Sequence, residues 1–125
     1  MKNFILILLL SISVQHFGQK NNEPSSSLKD KKIEQFTSFF NNPIDLNIPS
    51  AKANYSDNQA KILVENFFKK YEVKAYTTKH TGGGNGRPFF EIGKLETMKG
   101  NFRTYLLFQK SNDTFKIIEF RIEQE

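Results

Sequence analysis

The sequence predicts an α+β domain in which a curved antiparallel sheet packs on one long amphipathic helix. Apolar residues at helical spacing between positions 57 and 71 indicate the helix, and four runs of strand-like alternation between positions 73 and 123 indicate the sheet. The chain has 125 residues, of which 13 are Phe. This length accommodates one domain, and the aromatic side chains are numerous enough to fill an apolar core.

The chain begins with the pattern of a secretory signal peptide. A basic start at residues 1–3 precedes an apolar run over 4–14 that only Ser11 and Ser13 interrupt. Because a membrane-spanning helix needs about 20 apolar residues, a cleaved signal is favoured over an uncleaved anchor or a buried helix. We therefore expect a signal peptide over 1–18, a flexible linker over 19–27 and a single domain over 28–125. This organisation predicts export to the periplasm or the medium, with no stable membrane anchor after cleavage.

The composition excludes several classes of chemistry. The chain has no Cys, which excludes disulfides, thiol nucleophiles and Cys-bound zinc. No His-Glu-x-x-His or similar spacing is present, so neither a metal nor another cofactor is expected. The formal net charge is only +5, and the sequence has no aromatic RNA-binding signature, so nucleic acid is not an expected partner.

Residues 28–40 predict a shorter N-terminal helix, which Ser27 can cap and the Asn42-Pro43 pair ends. Alternation over 44–48 then predicts a short N-terminal strand, and residues 50–55 are expected to form a loop.

The second helix is the clearest element of the sequence. It is predicted over residues 57–71, where Ser56 and Gln59 have the spacing of a capping box. Its apolar stripe comprises Ala60, Leu63, Val64, Phe67, Phe68 and Tyr71. A helix with one broad apolar face must bury that face against another layer.

The remaining chain predicts an antiparallel β-meander of four main strands. These strands are expected over residues 73–80, 89–98, 101–110 and 114–123. A glycine-rich loop over 81–88 would join the first two, and two-residue turns at 99–100 and 112–113 would join the others.

Both faces of this sheet are expected to be partly apolar. With the turns placed as above, the first face collects Phe90, Ile92, Tyr105, Leu107, Ile118, Phe120 and Ile122. The second face collects Leu95, Phe102, Leu106, Phe108, Phe115 and Ile117, together with Glu91, Thr104, Glu119 and Arg121. We expect the long helix on the first face. The first helix, a ligand or a second copy of the chain would cover the second face, which makes a homodimer through the sheet an expectation.

A string of motifs resembles a known family. It runs Tyr55-Ser56-x-x-Gln59-Ala60, Phe67-Phe68, His80-x-Gly82, Ile92-Gly93-x-Leu95-x-Thr97-x-x-Gly100-x-Phe102-Arg103-x-Tyr105 and Ile118-x-x-x-Arg121-Ile122-Glu123. Over roughly residues 34–123 the chain resembles a family of small secreted Bacteroidetes proteins, a domain of unknown function. The resemblance implies a cystatin-like or nuclear-transport-factor-2-like (NTF2-like) cone and an exported protein. It implies no activity and no catalytic residues.

Three ionisable residues are candidates for catalysis: His80, Glu91 and Glu119. A histidine is a general base near neutral pH, and a carboxylate within an apolar cone can carry a proton. His80 is also explained as a residue that fixes the adjoining loop, and Glu119 with Arg121 as an exposed salt bridge. The candidate ligand pocket comprises His80, Glu91, Thr104, Leu106, Phe108, Ile117, Glu119 and Arg121.

These observations favour a non-enzymatic exported binding or interaction domain. It would act through the sheet concavity, on a small apolar or polar ligand, or through a sheet-mediated dimer. The alternative is a small-molecule enzyme that uses His80 or a sheet carboxylate in the cone pocket.

Overall fold

The computed structural model describes residues 23–125, which form three short-to-medium helices and one sheet. The expected signal peptide over 1–18 and the first part of the expected linker, 19–22, lie outside the described residues. The elements are α1 (Pro24–Lys29), α2 (Ile33–Thr37), β1 (Phe40–Ile48), β2 (Ala51–Tyr55), α3 (Asp57–Lys70), β3 (Val73–Gly84), β4 (Arg87–Thr97), β5 (Gly100–Ser111) and β6 (Thr114–Gln124). The strand order in the sheet is β2-β1-β6-β5-β4-β3.

The predicted α+β class and the β3–β6 meander are confirmed. The sheet is larger than predicted, however, since it has six strands rather than four plus one. It is also mixed, because β1 runs parallel to β6 while every other neighbouring pair is antiparallel.

Helix α3 confirms the prediction for residues 57–71 to within one residue. The Ser56 hydroxyl accepts a hydrogen bond from the Gln59 backbone N–H at 3.2 Å, as an N-cap does. Its buried face carries Ala60, Val64, Phe67 and Phe68. The helix therefore begins and packs as its sequence pattern indicates.

The N-terminal segment differs from the prediction in two ways. The single helix expected over 28–40 is broken by Lys31, which has a φ of 61°, into α1 and α2. Four residues of the expected linker, 24–27, belong to α1, where Ser25 and Ser27 are buried. The segment packs into the fold because Leu28 and Phe36 are both 0% exposed.

Residues 50–55 were expected to form a loop, and this prediction is wrong. Residues 51–55 are strand β2, which pairs with β1 from Ile44↔Tyr55 to Ile48↔Ala51 around a turn at Pro49-Ser50. Strand β2 forms one edge of the sheet and β3 forms the other.

The glycine-rich segment forms most of a hairpin rather than a long loop. Strands β3 and β4 pair as far as Gly84↔Arg87, which leaves Asn85-Gly86 as a two-residue turn. Both turn residues have positive φ, 56° and 85°, as a type I′ turn requires. The hairpin tip therefore extends the sheet beyond the position where β3 was expected to end.

The faces of the sheet also differ from the prediction. Phe108 pairs with Ile117 but Leu107 pairs with Glu119, so Ile118 is an extra residue in a β-bulge. Beyond this bulge every side chain of β6 lies on the face opposite to the one predicted. Phe120, for example, lies opposite Leu106. We call the side of Leu106 the inner face and the side of Leu107 the outer face.

The helices pack on the inner face, not on the face that was predicted to receive the long helix. Phe67 of α3 contacts Phe102 edge to face, with ring centroids 5.5 Å apart, and Phe36 of α2 contacts Phe120 at 5.0 Å. The buried apolar side chains of the sheet on this side include Ile44, Leu46, Ile48, Leu95, Phe102, Leu106, Phe108, Ile117, Phe120 and Ile122. Among the described residues, no helix is both long and apolar enough to cross a bilayer.

Candidate functional site

The inner face contains one buried polar cluster, centred on Glu91. This residue is 3% exposed, and its Oε2 atom accepts hydrogen bonds from the Tyr76 hydroxyl at 3.0 Å and the Thr78 hydroxyl at 2.8 Å. The Thr104 hydroxyl lies 3.4 Å from the Tyr76 oxygen and completes the cluster. Strand β3 thus supplies two hydroxyl groups to a single carboxylate oxygen of β4, and β5 supplies a third hydroxyl to the tyrosine.

Local backbone features of β3 and β4 position these side chains. Thr78 pairs with Gly93 and His80 pairs with Ile92, so Lys79 is an extra residue that reverses the alternation of β3. Gly93 leaves room for the phenol, since a Cβ at this position would overlap the ring and hydroxyl of Tyr76. The glycine therefore lets the tyrosine lie across β4 toward Glu91.

The environment of Tyr76 keeps its phenol protonated. Burial raises the pKa of Tyr76 far above its ordinary value, and the nearby Glu91 carboxylate raises it further, while the bond with Thr104 acts in the opposite direction. The Tyr76 hydroxyl therefore remains a neutral hydrogen-bond donor to Glu91 at physiological pH.

Glu91 also lines an open cleft of about 510 Å³ at the end of the sheet that carries the tips of the β3–β4 and β5–β6 hairpins. We call this space the Glu91 cleft. Its lining residues are Glu23, Thr81, Gly82, Gly83, Phe89, Phe90, Glu91, Phe108, Lys110 and Phe115. The volume lies within the range of about 300–1,000 Å³ that is usual for small-molecule pockets.

Three phenylalanines form an aromatic wall of the cleft. The rings of Phe89 and Phe108 are stacked at 5.6 Å, and Phe115 meets Phe108 edge to face at 5.5 Å. Lys110 Nζ lies 5.7 Å from the centre of the Phe115 ring, a cation–π distance. The cleft thus combines an apolar wall with one ammonium and the carboxylates of Glu91 and Glu23.

The predicted pocket residues that lie on the inner face occupy three different environments. Glu91 and Phe108 line the cleft, and Thr104 lies directly behind it in the polar cluster. Leu106 and Ile117 are completely buried core residues on the same inner face.

Three predicted site residues, His80, Glu119 and Arg121, do not lie in the cleft. The bulge at Lys79 turns His80 to the outer face, where it is exposed, and the bulge at Ile118 turns Glu119 and Arg121 to the same face, where they are half-buried. Arg121 Nε lies 2.8 Å from Glu119 Oε2, and the guanidinium lies 4.4 Å from the centre of the Tyr105 ring. The salt bridge that was considered for this pair is present, but its side chains are half-buried rather than fully exposed.

Sequence reasoning missed Tyr76, Phe89, Lys110 and Glu23 as residues of the site. Phe89 and Lys110 were placed at strand ends next to an expected loop or turn, and Glu23 was assigned to the linker. The Asn85-Gly86 pair was the available signal, because this dipeptide between strand-like runs is a strong hairpin indicator. A hairpin ending there carries both strands past the position of Phe89.

Among residues 23–125, no three His, Asp or Glu side chains are grouped in a way that could hold a metal ion.

Comparison with known proteins identifies the family. The model of a domain of unknown function, DUF4783, matches residues 21–123. The chain belongs to this family. No functionally curated protein matches the chain.

Solved structures support the fold. The DUF4783 protein of Bacteroides ovatus is similar with a TM-score of 0.73 and 21% identity, over 90% of this chain and 98% of that one. A cystatin-like protein of unknown function from Nostoc punctiforme has a TM-score of 0.60 and 14% identity, over 82% and 83% of the two chains. An NTF2-like protein of unknown function from Cytophaga hutchinsonii has a TM-score of 0.56 and 12% identity, over 82% and 84%. The cystatin-like, NTF2-like fold predicted from the sequence is confirmed.

Proposed function

We propose that this DUF4783 protein is an exported binding domain whose Glu91 cleft takes up a small organic ligand without converting it. One observation carries the proposal. An open cleft of about 510 Å³ joins an aromatic wall to a carboxylate that is only 3% exposed. Mostly apolar clefts with a few fixed polar groups are the usual form of a ligand site.

A fragment screen by protein NMR tests this proposal. Fragments that bind should shift the amide signals of residues 81–83 and 89–91. Thr81→Phe, which fills the cleft from the exposed end of β3, should weaken binding by about tenfold or more. Thr77→Phe is the matched control, because Thr77 is an exposed residue of the same strand that pairs with Lys94 of the outer face. Equal affinity in the two variants, or shifts confined to other surfaces, would refute the proposal.

The export component rests on the signal-like pattern over residues 1–18. Protein isolated from its native host should begin near Gln19 and occur outside the cytoplasm. N-terminal sequencing of fractionated cells measures both properties, and a cytoplasmic chain that retains Met1 would contradict export.

Catalysis by Glu91 is the second candidate, because its carboxylate borders the cleft and the Tyr76 phenol keeps its proton. If Glu91 were a base, a bound fragment with an acidic carbon-bound proton would exchange it for deuterium in D₂O. We expect no exchange above the buffer rate when this reaction is followed by NMR. Exchange that Glu91→Gln abolishes would establish the enzyme instead.

The outer face supports a separate interaction with a second copy of the chain. Two cross-strand pairs, Phe90↔Leu107 and Ile92↔Tyr105, form a half-buried apolar patch. The basic pair Lys94↔Arg103 adjoins this patch along the strands. The acidic pair Asp45↔Glu119, in which Glu119 also contacts Arg121, adjoins it across the sheet. A twofold axis through the patch can therefore place the basic pair of each copy against the acidic pair of the other.

Sedimentation velocity over a dilution series tests the dimer. Wild type should sediment as a dimer at the higher concentrations, and Leu107→Lys should sediment as a monomer because it places a charge in the patch. Gln109→Lys adds the same charge to an exposed position further along β5 and should leave the dimer intact. A monomeric wild type, or equal dissociation in both variants, would rule out this interface.

A further inference from the structure

We propose that the Glu91 cleft selects ligands that carry a primary ammonium group on an apolar body. This inference rests on the proposed function of the cleft as a binding site and names the class of ligand.

The first support is the unbalanced charge of the Glu91 carboxylate. Its two hydrogen bonds come from neutral hydroxyl groups, those of Tyr76 and Thr78, and both go to Oε2. Among the described residues no Lys, Arg or His forms a salt bridge with Glu91. Buried carboxylates are ordinarily paired with a cation, because hydroxyl donors only partly replace the lost hydration. An ammonium group bound in the cleft would supply the missing charge.

The second support is the aromatic wall. Ring faces attract cations, and the chain's own Lys110 Nζ lies 5.7 Å from the Phe115 ring centre in this wall. The rings of Phe89 and Phe108 offer apolar area for the rest of the ligand. The aromatic wall can thus contact both the ammonium group and the apolar body of such a ligand.

The third support is the overall charge of the lining. Glu91 and Glu23 are opposed by Lys110 alone, so the lining carries one more negative than positive charge. A cationic ligand neutralises this excess, whereas an anionic ligand increases it. Small carboxylic acids, which are anionic at neutral pH, should therefore bind least well.

Three probes with the same phenyl body but different head groups test the ligand class. The purified full chain is titrated with 2-phenylethylamine, 2-phenylethanol and 3-phenylpropionate at neutral pH, and binding is followed by the amide signals of residues 81–83, 89–91 and 108–110. The amine should bind about tenfold more tightly than the alcohol, as a charge-assisted hydrogen bond predicts, and the acid should bind most weakly.

A variant pair assigns the preference to Glu91. Glu91→Gln keeps the shape and removes the charge, so it should abolish the preference of the cleft for the amine over the alcohol. Glu119→Gln removes a carboxylate from the outer face and should change neither affinity. The comparison of the three probes on wild type stands by itself if Glu91→Gln does not fold.

The outcomes separate the two proposals. If none of the three probes shifts the cleft signals, the proposed binding function fails, and this inference fails with it. If the alcohol or the acid binds at the cleft as tightly as the amine, the cleft is a binding site but the ammonium selectivity is wrong. An amine preference that persists undiminished in a folded Glu91→Gln variant would also overturn the inference.

Discussion

Glu91 combines deep burial with contact to an open cleft, and this combination is set by individual neighbouring residues. Tyr76 and Thr78 replace part of the water that the carboxylate loses, and Gly93 provides the space that the Tyr76 ring occupies. A hydrogen bond to a charged group contributes about 1.5–3 kcal/mol. Each of these neighbours is therefore expected to affect the free energy of unfolding as well as the site.

The Tyr76 phenol should make the fold sensitive to alkaline pH. The folded state holds this proton more tightly than the unfolded chain, whose phenol titrates at about pH 10. The resulting stabilisation is fully present below about pH 10 and is lost as the pH rises above it, by up to about 1.4 kcal/mol per pH unit. Denaturant unfolding between about pH 8 and 11 should show a shallower decline in Tyr76→Phe than in wild type.

The matched control for this pH dependence is Tyr105→Phe. Tyr105 lies on the outer face beneath the Arg121 guanidinium. The variant therefore keeps the buried Tyr76 phenol, and its stability should decline with pH as steeply as that of wild type. Tyr76→Phe also loses a hydrogen bond at neutral pH, which is why the slope is compared rather than the absolute stability. Parallel curves for all three proteins would show that Tyr76 does not carry the effect.

Position 93 should require a glycine only because the Tyr76 ring occupies the adjoining space. An added Cβ would overlap the phenol, so Gly93→Ala should lower the free energy of unfolding by about 1–3 kcal/mol, as overpacking does. In a Tyr76→Ala background the same substitution should cost much less, because the ring is absent. Equilibrium denaturation of the four proteins forms a double-mutant cycle. Additive effects would mean that the overlap with Tyr76 is not the reason for the glycine.

The secondary-structure elements show which parts of the fold follow from local sequence. Helix α3 was predicted to within one residue because periodicity and an N-cap act over a few neighbouring positions. The bulges at Lys79 and Ile118 leave no comparable local signal, yet they decide which side chains share a face. Glu91 and Phe108 therefore lie on the inner face beside the cleft, whereas His80, Glu119 and Arg121 lie on the outer face.

The β3–β4 turn should depend on its glycine. Gly86 has a φ of 85°, which costs an L-residue with a side chain about 1–2 kcal/mol, so Gly86→Ala should lower the free energy of unfolding by that amount. Asn85→Gly keeps a residue suited to positive φ and should be close to neutral. Urea unfolding of both variants measures the difference. Equal stability of the two would mean that this turn does not need its positive-φ conformation.

At the scale of the whole molecule, the sheet depends on contacts between distant parts of the chain. Strand β1 pairs in parallel with β6, the last strand, in the register Leu46↔Phe120. No pattern within either segment specifies that pairing, and this is why the sequence predicted an antiparallel sheet. The Phe36 ring links the two strands, since it contacts Phe40 at 5.6 Å and Phe120 at 5.0 Å, both edge to face.

Loss of the Phe36 ring should therefore weaken the entire fold rather than its N-terminal segment alone. Phe36 is 0% exposed, and truncation of such a side chain typically costs about 3–5 kcal/mol, a large part of the 5–15 kcal/mol that stabilises a typical domain. Phe36→Leu, which keeps part of the volume, should cost less and allow measurement if Phe36→Ala does not fold.

Phe39→Ala is the matched control, because this neighbouring ring is only partly buried against the core. Circular dichroism and the amide signals of β5 should then report one common unfolding transition, shifted strongly in the Phe36 variants and slightly in Phe39→Ala. A transition confined to α1 and α2, with β5 unaffected, would show that the N-terminal segment is a separate unit and not part of the cooperative core.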